Sequence, residues 1–242
     1  MKRSRRVIPN LFTTMNIFFG FLAIISASDG NFVTASWFII IAAIFDLFDG
    51  QVARLTKSAS SFGVEFDSLA DIISFGLAPA FLIQRAYLES FGLLGTVISF
   101  LPLVCGGIRL AKFNINFGGK EKTGFIGLPI PFAAVSIVSF VIFNYYIWDE
   151  IFLERVVIPQ IVLVSILMLS KVEYYVLPKF SFRQGKRHSI GLIIVIISTL
   201  IVSLFPQATF YPFVIAYILW GIIRFLYKIL RSTDPEKTIE AF

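Results

Sequence analysis

Long apolar stretches separated by short polar ones dominate the pattern along the chain. A helix needs about 20 mainly apolar residues to cross the hydrocarbon core of a bilayer. Such stretches recur along almost the whole length of the chain. The pattern predicts an all-α integral membrane protein with about eight transmembrane helices. The predicted spans are residues 11–28, 32–53, 66–88, 91–111, 128–148, 152–171, 189–205 and 208–228.

The composition agrees with a membrane protein. Of the 242 residues, 57% are hydrophobic and 15% are charged, whereas a soluble domain carries about 25% charged residues. No second domain or repeat interrupts the apolar pattern, so we expect a single membrane domain over residues 1–242. The expected partners are the bilayer and small molecules, and no nucleic acid. The single cysteine, Cys105, cannot form an internal disulfide and gives no information on the redox compartment.

The distribution of basic residues predicts the orientation in the membrane. Lys and Arg concentrate in cytoplasmic loops of membrane proteins. With eight spans, all of the 21 Lys and Arg residues except Arg85 and Arg155 fall on one side. That side is therefore predicted to be cytoplasmic, and it includes both termini.

The N-terminal segment has two interpretations. Its basic residues precede Val7, Ile8, Leu11 and Phe12, which is typical of an N-terminal interfacial helix lying along the membrane surface. The basic charge would then favour anionic lipid headgroups. The same residues are equally compatible with a simple topology signal.

Four aspartates stand at the facing ends of the second and third predicted spans. Asp46 and Asp49 are three residues apart, and Asp67 and Asp71 are four apart, so each pair shares one helix face. Carboxylates in hydrocarbon are costly unless they are compensated. Hard divalent cations such as Mg2+ bind oxygen ligands of this kind. Two carboxylates on each of two antiparallel helices predict a two-metal site with Mg2+ or Mn2+.

Small residues and one cation accompany these aspartates. Gly50, Ala53 and Gly63 would let a ligand approach the backbone, and the Arg54 guanidinium is suited to phosphate. Together with metal ions they indicate a pyrophosphate site. The alternative for the small residues is close helix packing in lipid. The alternative for the aspartates is the ion pathway of a divalent-cation transporter, although the opposite halves of the spans carry no polar track.

The two aspartate segments match a known signature. The stretches DLFDGQVAR, from Asp46 to Arg54, and GVEFDSLAD, from Gly63 to Asp71, are separated by eight residues. Together, over residues 46–71, they resemble the pattern DxxDGxxAR, eight residues, GxxxDxxxD of the CDP-alcohol phosphotransferase family. Three further stretches resemble the bacterial and archaeal membrane phosphatidylserine synthases of that family. They are PNLFTTMN at 9–16, RLAKFN at 109–114 and FIGLPIP at 125–131.

The resemblance implies a reaction and a role for each motif residue. The phosphatidyl group of CDP-diacylglycerol would pass to the hydroxyl of L-serine, with release of CMP. All four aspartates would be metal ligands, and Asp71 would also be the general base. Residues that would contact the bound CDP-diacylglycerol are Gly50, Ala53, Arg54, Gly63, Asn10 and Thr13. The resemblance further implies a six-helix core, to which this chain would add two spans, and a homodimer.

The acceptor alcohol is the least constrained part of the prediction. Arg109 lies at the inner end of the fourth span, where we expect it to bind the serine carboxylate with Lys112 or Asn114 nearby. Basic residues are also expected there from the membrane orientation alone. Another acceptor, glycerol 3-phosphate or an inositol phosphate, would need additional cations, and Lys120 and Lys122 leave that alternative open.

Overall fold

The computed structural model describes residues 7–56, 61–117, 125–174 and 204–231. In these ranges the chain is helical apart from one pair of two-residue strands. The α-helices are α1 (Val7–Ser28), α2 (Phe32–Thr56), α3 (Ser61–Asp71), α4 (Ala78–Ala86), α5 (Gly92–Phe117), α6 (Ile130–Trp148), α7 (Glu154–Leu169) and α8 (Pro206–Arg231). A π-helical segment (Ile72–Leu77) joins α3 to α4, and a 3-10 turn (Leu88–Phe91) precedes α5.

Six helical segments are long and apolar enough to cross a membrane among the residues described, which confirms a helical membrane protein. Predicted span 6 corresponds to α7, whose 16 residues reach only about 24 Å. Predicted span 7, at 189–205, lies almost entirely outside the described residues. The total of eight spans and the orientation therefore stay predictions. The six segments are Asn10–Ser28, Phe32–Val52, Ser61–Ala86, Leu88–Ile115, Ile130–Trp148 and Pro206–Arg231.

The separate interfacial helix expected at the N-terminus is not found in the part of the segment that the structure describes. Helix α1 begins at Val7 and runs without a break to Ser28. Pro9 lies in its first turn, where proline is tolerated because those amide groups have no helical acceptor. The 22 residues of α1 extend about 33 Å, slightly more than the hydrocarbon core. Residues 1–6 lie outside the described ranges.

Helices α1 and α2 form a tight antiparallel hairpin. Among the described side chains, the buried face of α1 carries only small or polar groups, and it packs against a face of α2 that is small or polar except for Ile39. Such faces let two backbones approach closely in lipid, where apolar bulk gives no preference for protein over lipid. The face of α1 comprises Thr13, Asn16, Gly20, Ala23 and Ala27, and that of α2 comprises Ala35, Ile39, Ala42 and Asp49.

Helix α6 runs through the middle of the protein, and a polar contact joins it to α7 and α8. The Gln160 side-chain amide on α7 donates to the main-chain carbonyl and the hydroxyl of Ser136 on α6, at 2.8 and 3.0 Å. Tyr211 on α8 donates its hydroxyl to the Gln160 carbonyl oxygen at 3.1 Å. These bonds satisfy a buried amide and join three helices at one point.

Two short strands join the segment before α6 to the segment after α7. Strand β1 (Phe125–Ile126) pairs antiparallel with β2 (Glu173–Tyr174). The next residue after β1, Gly127, has a φ of +76°, and a Cβ there would lie 2.5 Å from the Met168 carbonyl oxygen. Glycine is therefore required at this turn, which directs the chain into α6.

Candidate active site

Three carboxylates meet between the C-terminal half of α2 and the last turns of α3. One carboxylate oxygen each from Asp46, Asp67 and Asp71 lies within 4.8 Å of the other two. Helical spacing explains the arrangement, because Asp67 and Asp71 are one turn apart on α3 and face the last turns of antiparallel α2. Asp71 is the most enclosed of the three, with 9% of its surface exposed. The arrangement concentrates negative charge at one point inside the apolar part of the chain.

The fourth aspartate, Asp49, lies beside this cluster and contacts α1. Asp49 is buried, and the Thr13 hydroxyl donates a hydrogen bond to its Oδ2. Its charge still acts on Asp46 and Asp67. The sequence predicted four converging carboxylates. In the structure three of them form one group, and Asp49 lies beside that group with Thr13 as its hydrogen-bond partner. Thr13, predicted as a nucleotide contact, has a carboxylate partner in this structure.

The carboxylate cluster fits a divalent metal ion. The Arg109 guanidinium on α5 attracts Asp71, but one cation leaves a group of three carboxylates with excess negative charge. Asp71 Oδ1 is buried and has no hydrogen-bond partner among the described residues. Carboxylate oxygens of this kind are the ligands that Mg2+ and Mn2+ prefer. Asp46, Asp67 and Asp71 are therefore the residues that would hold such an ion, with Asp49 adjacent.

The predicted nucleotide contacts line the same end of the helices. Gly50 is exposed, and a Cβ built on it would meet no described atom within 4 Å, so the described residues leave space beside the carboxylates. Gly63 and Asn10 are both partly buried. Helix α2 continues through Ala53 and Arg54, whose side chains lie outside the described part of the structure.

The predicted serine contacts lie on the last turns of α5. Arg109 is partly buried, and its Nε atom has no hydrogen-bond partner in the described ranges. Lys112 is exposed. The Asn114 side-chain amide donates to the Ser68 hydroxyl at 3.1 Å, and Ser68 follows Asp67 directly. This hydrogen bond fixes the end of α5 beside α3, next to the carboxylates.

Two features at the site are absent from the sequence predictions. The first is Asn16, which is fully buried on α1, one turn after Thr13. The second is the π-helical segment that starts immediately after Asp71, from which Ser74 donates its hydroxyl to the Asn16 main-chain carbonyl at 2.9 Å. A polar residue one turn from Thr13 in an otherwise apolar span was a signal for Asn16. No sequence signal indicated the π-helical segment.

Comparison with known proteins identifies the family. The family model described as CDP-alcohol phosphatidyltransferase matches residues 6–221, which is most of the chain. The chain belongs to the CDP-alcohol phosphatidyltransferase family. This membership confirms the resemblance of the two aspartate segments and argues against a divalent-cation transporter.

Three relatives in the CDP-alcohol phosphatidyltransferase family are similar to this chain and indicate its subgroup. The chain is 39% identical over 226 residues to a CDP-diacylglycerol–serine O-phosphatidyltransferase of Helicobacter pylori, covering 93% of each chain. It is 39% identical over 169 residues to an archaetidylserine synthase of Methanothermobacter thermautotrophicus, covering 69% of each. A Bacillus subtilis protein with the first of these names is 38% identical over 131 residues, which is 54% of this chain and 73% of that protein. The chain is therefore a phospholipid-biosynthesis transferase of the phosphatidylserine synthase type.

Proposed function

We propose that this enzyme transfers the phosphatidyl group of CDP-diacylglycerol to the hydroxyl of L-serine, giving phosphatidylserine and CMP. The observation that carries the proposal is the group of Asp46, Asp67 and Asp71, in a chain whose relatives along nearly its full length are named for that reaction. The serine oxygen forms a bond to the phosphorus that carries diacylglycerol. The bond from this phosphorus to the CMP oxygen breaks, and the serine hydroxyl proton leaves to a base.

The carboxylates have two roles in this proposal. Divalent cations, when bound at Asp46, Asp49, Asp67 and Asp71, supply positive charge that offsets the pyrophosphate and the departing CMP. Asp71 accepts the proton of the serine hydroxyl, for which its buried and unpartnered Oδ1 is suitable. Thr13 holds Asp49 in its rotamer through the hydrogen bond to Oδ2.

The lipid donor can reach this site from the bilayer. Apolar side chains close to the carboxylates in sequence are strongly exposed, with 59% of Leu47, 47% of Phe48 and 62% of Leu69 accessible. Such side chains suit contact with acyl chains. The open space beside Gly50 would accept the cytidine diphosphate, with Asn10, Ala53, Arg54 and Gly63 around it. The donor would then keep its tails in lipid while its headgroup meets the carboxylates.

Membrane orientation, domain organisation and assembly are part of the proposal. The one-sided distribution of Lys and Arg supports eight spans in one domain, both termini in the cytoplasm, and a site that opens to cytoplasmic serine. The same charge favours anionic headgroups at that surface. Family resemblance supports a homodimer, and carboxylate chemistry supports two bound Mg2+ or Mn2+ ions.

The decisive experiment is a transfer assay in detergent micelles. Purified enzyme is mixed with CDP-diacylglycerol, labelled serine and Mg2+ or Mn2+, in parallel with the Asp71→Asn variant. We expect metal-dependent labelled lipid and CMP in equal amounts, both lost in the variant. CMP release with glycerol 3-phosphate and none with serine would replace the acceptor and keep the family chemistry.

Serine recognition is assigned to Arg109, with Lys112 and Asn114 close to it. The guanidinium would pair with the serine carboxylate, because the unpartnered Nε is already buried near Asp71. We expect Arg109→Ala to raise the KM for serine at least tenfold, while binding of CDP-diacylglycerol stays unchanged. A normal serine KM in this variant would contradict the assignment.

A further inference from the structure

An unpaired amide lies in the interior beside the carboxylates. Asn16 is completely buried, and neither its Oδ1 nor its Nδ2 has a hydrogen-bond partner among the residues that the structure describes. Burying an amide without hydrogen-bond partners destabilises a fold. Asn16 lies in a membrane-crossing helix, where its neighbours on the buried face are small. A role in binding a ligand that forms hydrogen bonds would explain why an amide occupies this position.

Two contacts define the level of Asn16 in the helix packing. Thr13 on α1 contacts Asp49 on α2. The two helices run antiparallel, so a step of three residues forward along α1 matches a step of three residues back along α2. Asn16 on α1 therefore lies at about the level of Asp46 on α2. On the other side, Ser74 contacts the main-chain carbonyl of Asn16.

The Asn16 side chain is also directed toward the carboxylates, as the geometry of helix α1 indicates. Ser74 lies one turn beyond Asp71, and helical carbonyl groups point toward the C-terminal end, away from the carboxylates. Side chains on a helix lean the opposite way, toward its N-terminus. The Asn16 amide therefore leans back toward the layer that contains Asp46 and Asp71.

We propose that Asn16 holds a water molecule bound to the divalent cation at Asp46 and Asp71, with its amide Oδ1 accepting a hydrogen bond from that water. Mg2+ and similar ions give up their water reluctantly and keep several such molecules when protein-bound, and bound waters need acceptors. A neutral amide supplies one without adding a charge to the group of carboxylates. The inference rests on the metal-dependent reaction proposed above.

The test is a titration with Mn2+ in the full-length protein, followed by electron paramagnetic resonance of free Mn2+. Asn16→Leu removes the amide at similar volume, and we expect it to weaken Mn2+ binding about 10- to 100-fold, as loss of an outer hydrogen-bond partner does in other metal sites. Asn16→Asp keeps an acceptor oxygen and should bind Mn2+ at least as tightly as the wild type. Thr14→Val, on the exposed side of the same helix, is the matched control and should bind normally.

A thermal measurement separates this role from a structural one. Without metal, Asn16→Leu should melt at or above the wild-type temperature, since an unpaired amide is replaced by an apolar group. Its rise in melting temperature on adding Mn2+ should be smaller, because that rise depends on affinity. A lower metal-free melting temperature with an unchanged Mn2+ affinity would overturn the inference and assign Asn16 to packing.

The inference and the proposed function can fail separately. If Asn16→Leu binds Mn2+ within twofold of the wild-type affinity, and the wild type transfers the phosphatidyl group to serine, the inference is wrong and the proposed function stands. Weakened binding in Asn16→Leu, with no serine transfer by the wild type, supports the inference and removes serine as the acceptor.

Discussion

Replacing Gly20 by alanine tests whether the contact between α1 and the π-helical segment positions Asp71. A Cβ on Gly20 would lie 2.4 Å from the Ser74 hydroxyl oxygen and 2.9 Å from the Ser74 Cα. Ordinary contact is near 3.5 Å. The hydroxyl would therefore have to move by about 1 Å and the backbone by about 0.6 Å, and backbone cannot be displaced by a simple rotamer change.

Two consequences are expected from that displacement. Overpacking costs about 1–3 kcal/mol, partly offset by about 1 kcal/mol because alanine favours a helix over glycine, so the melting temperature should fall by a few degrees. Ser74 follows Asp71 by one turn, so the carboxylate shifts as well. A misplacement of about 1 Å can cost about 100-fold in rate, and we expect kcat to fall 10- to 100-fold.

The assay measures the melting temperature and the metal-dependent release of CMP for Gly20→Ala and two comparison variants. In Gly107→Ala the new Cβ would meet only Ile72 Cδ1 among the described atoms, at 3.5 Å, so this variant should behave as wild type. Adding Ser74→Ala to Gly20→Ala removes the closest atom and should restore part of the activity. If Gly20→Ala is as stable and as active as Gly107→Ala, the close contact does not position Asp71 and the reasoning is wrong.

Three further predictions concern single side chains. Thr13→Val removes the hydrogen bond to Asp49, and metal affinity measured by Mn2+ titration should fall about tenfold, since hydrogen bonds to charged groups contribute about 1.5–3 kcal/mol. Gly127→Ala must hold a φ of +76° with a Cβ against the Met168 carbonyl, so its melting temperature should fall by several degrees. Burial raises the pKa of Tyr174 to about 12, so the stability of the neutral phenol is present below pH 10 and lost above it, and Tyr174→Phe should flatten this alkaline loss in melting curves.

Sequence reasoning predicted most of the helices because their signals are local. Span limits follow from apolar length, and the aspartate pairs follow from helical spacing. The carboxylates of Asp46, Asp67 and Asp71 do lie together, and Asp49 differs because its partner is Thr13, on another helix. A contact between residues far apart in sequence cannot be predicted from the spacing of residues within either segment.

The π-helical segment could not be predicted for a related reason. The stretch IISFGL from Ile72 to Leu77 is mainly apolar, so its composition is equally compatible with an α-helical or a π-helical membrane span. The segment packs against α1, where Gly20 leaves room for Ser74 to reach the Asn16 carbonyl, and such a contact between distant residues cannot be seen in the local sequence. The N-terminus kept two interpretations, because basic residues before an apolar run are typical both of surface helices and of spans; in the described residues α1 runs from Val7 as one continuous helix.

The segment after Asp71 has a consequence for how this protein can change over generations. The amide of Ala78 bonds to the carbonyl of Ile73, five residues back, so the turn holds one residue more than an α-helix would. One residue corresponds to about 100° of rotation. The extra residue therefore rotates α4 by about 100° relative to the face of α3 that carries the carboxylates, compared with a continuous α-helix. Substitutions that keep this turn preserve the offset, whereas deletion of a single residue from it would rotate α4 against the carboxylate face and misalign Asp67 and Asp71 with their partners.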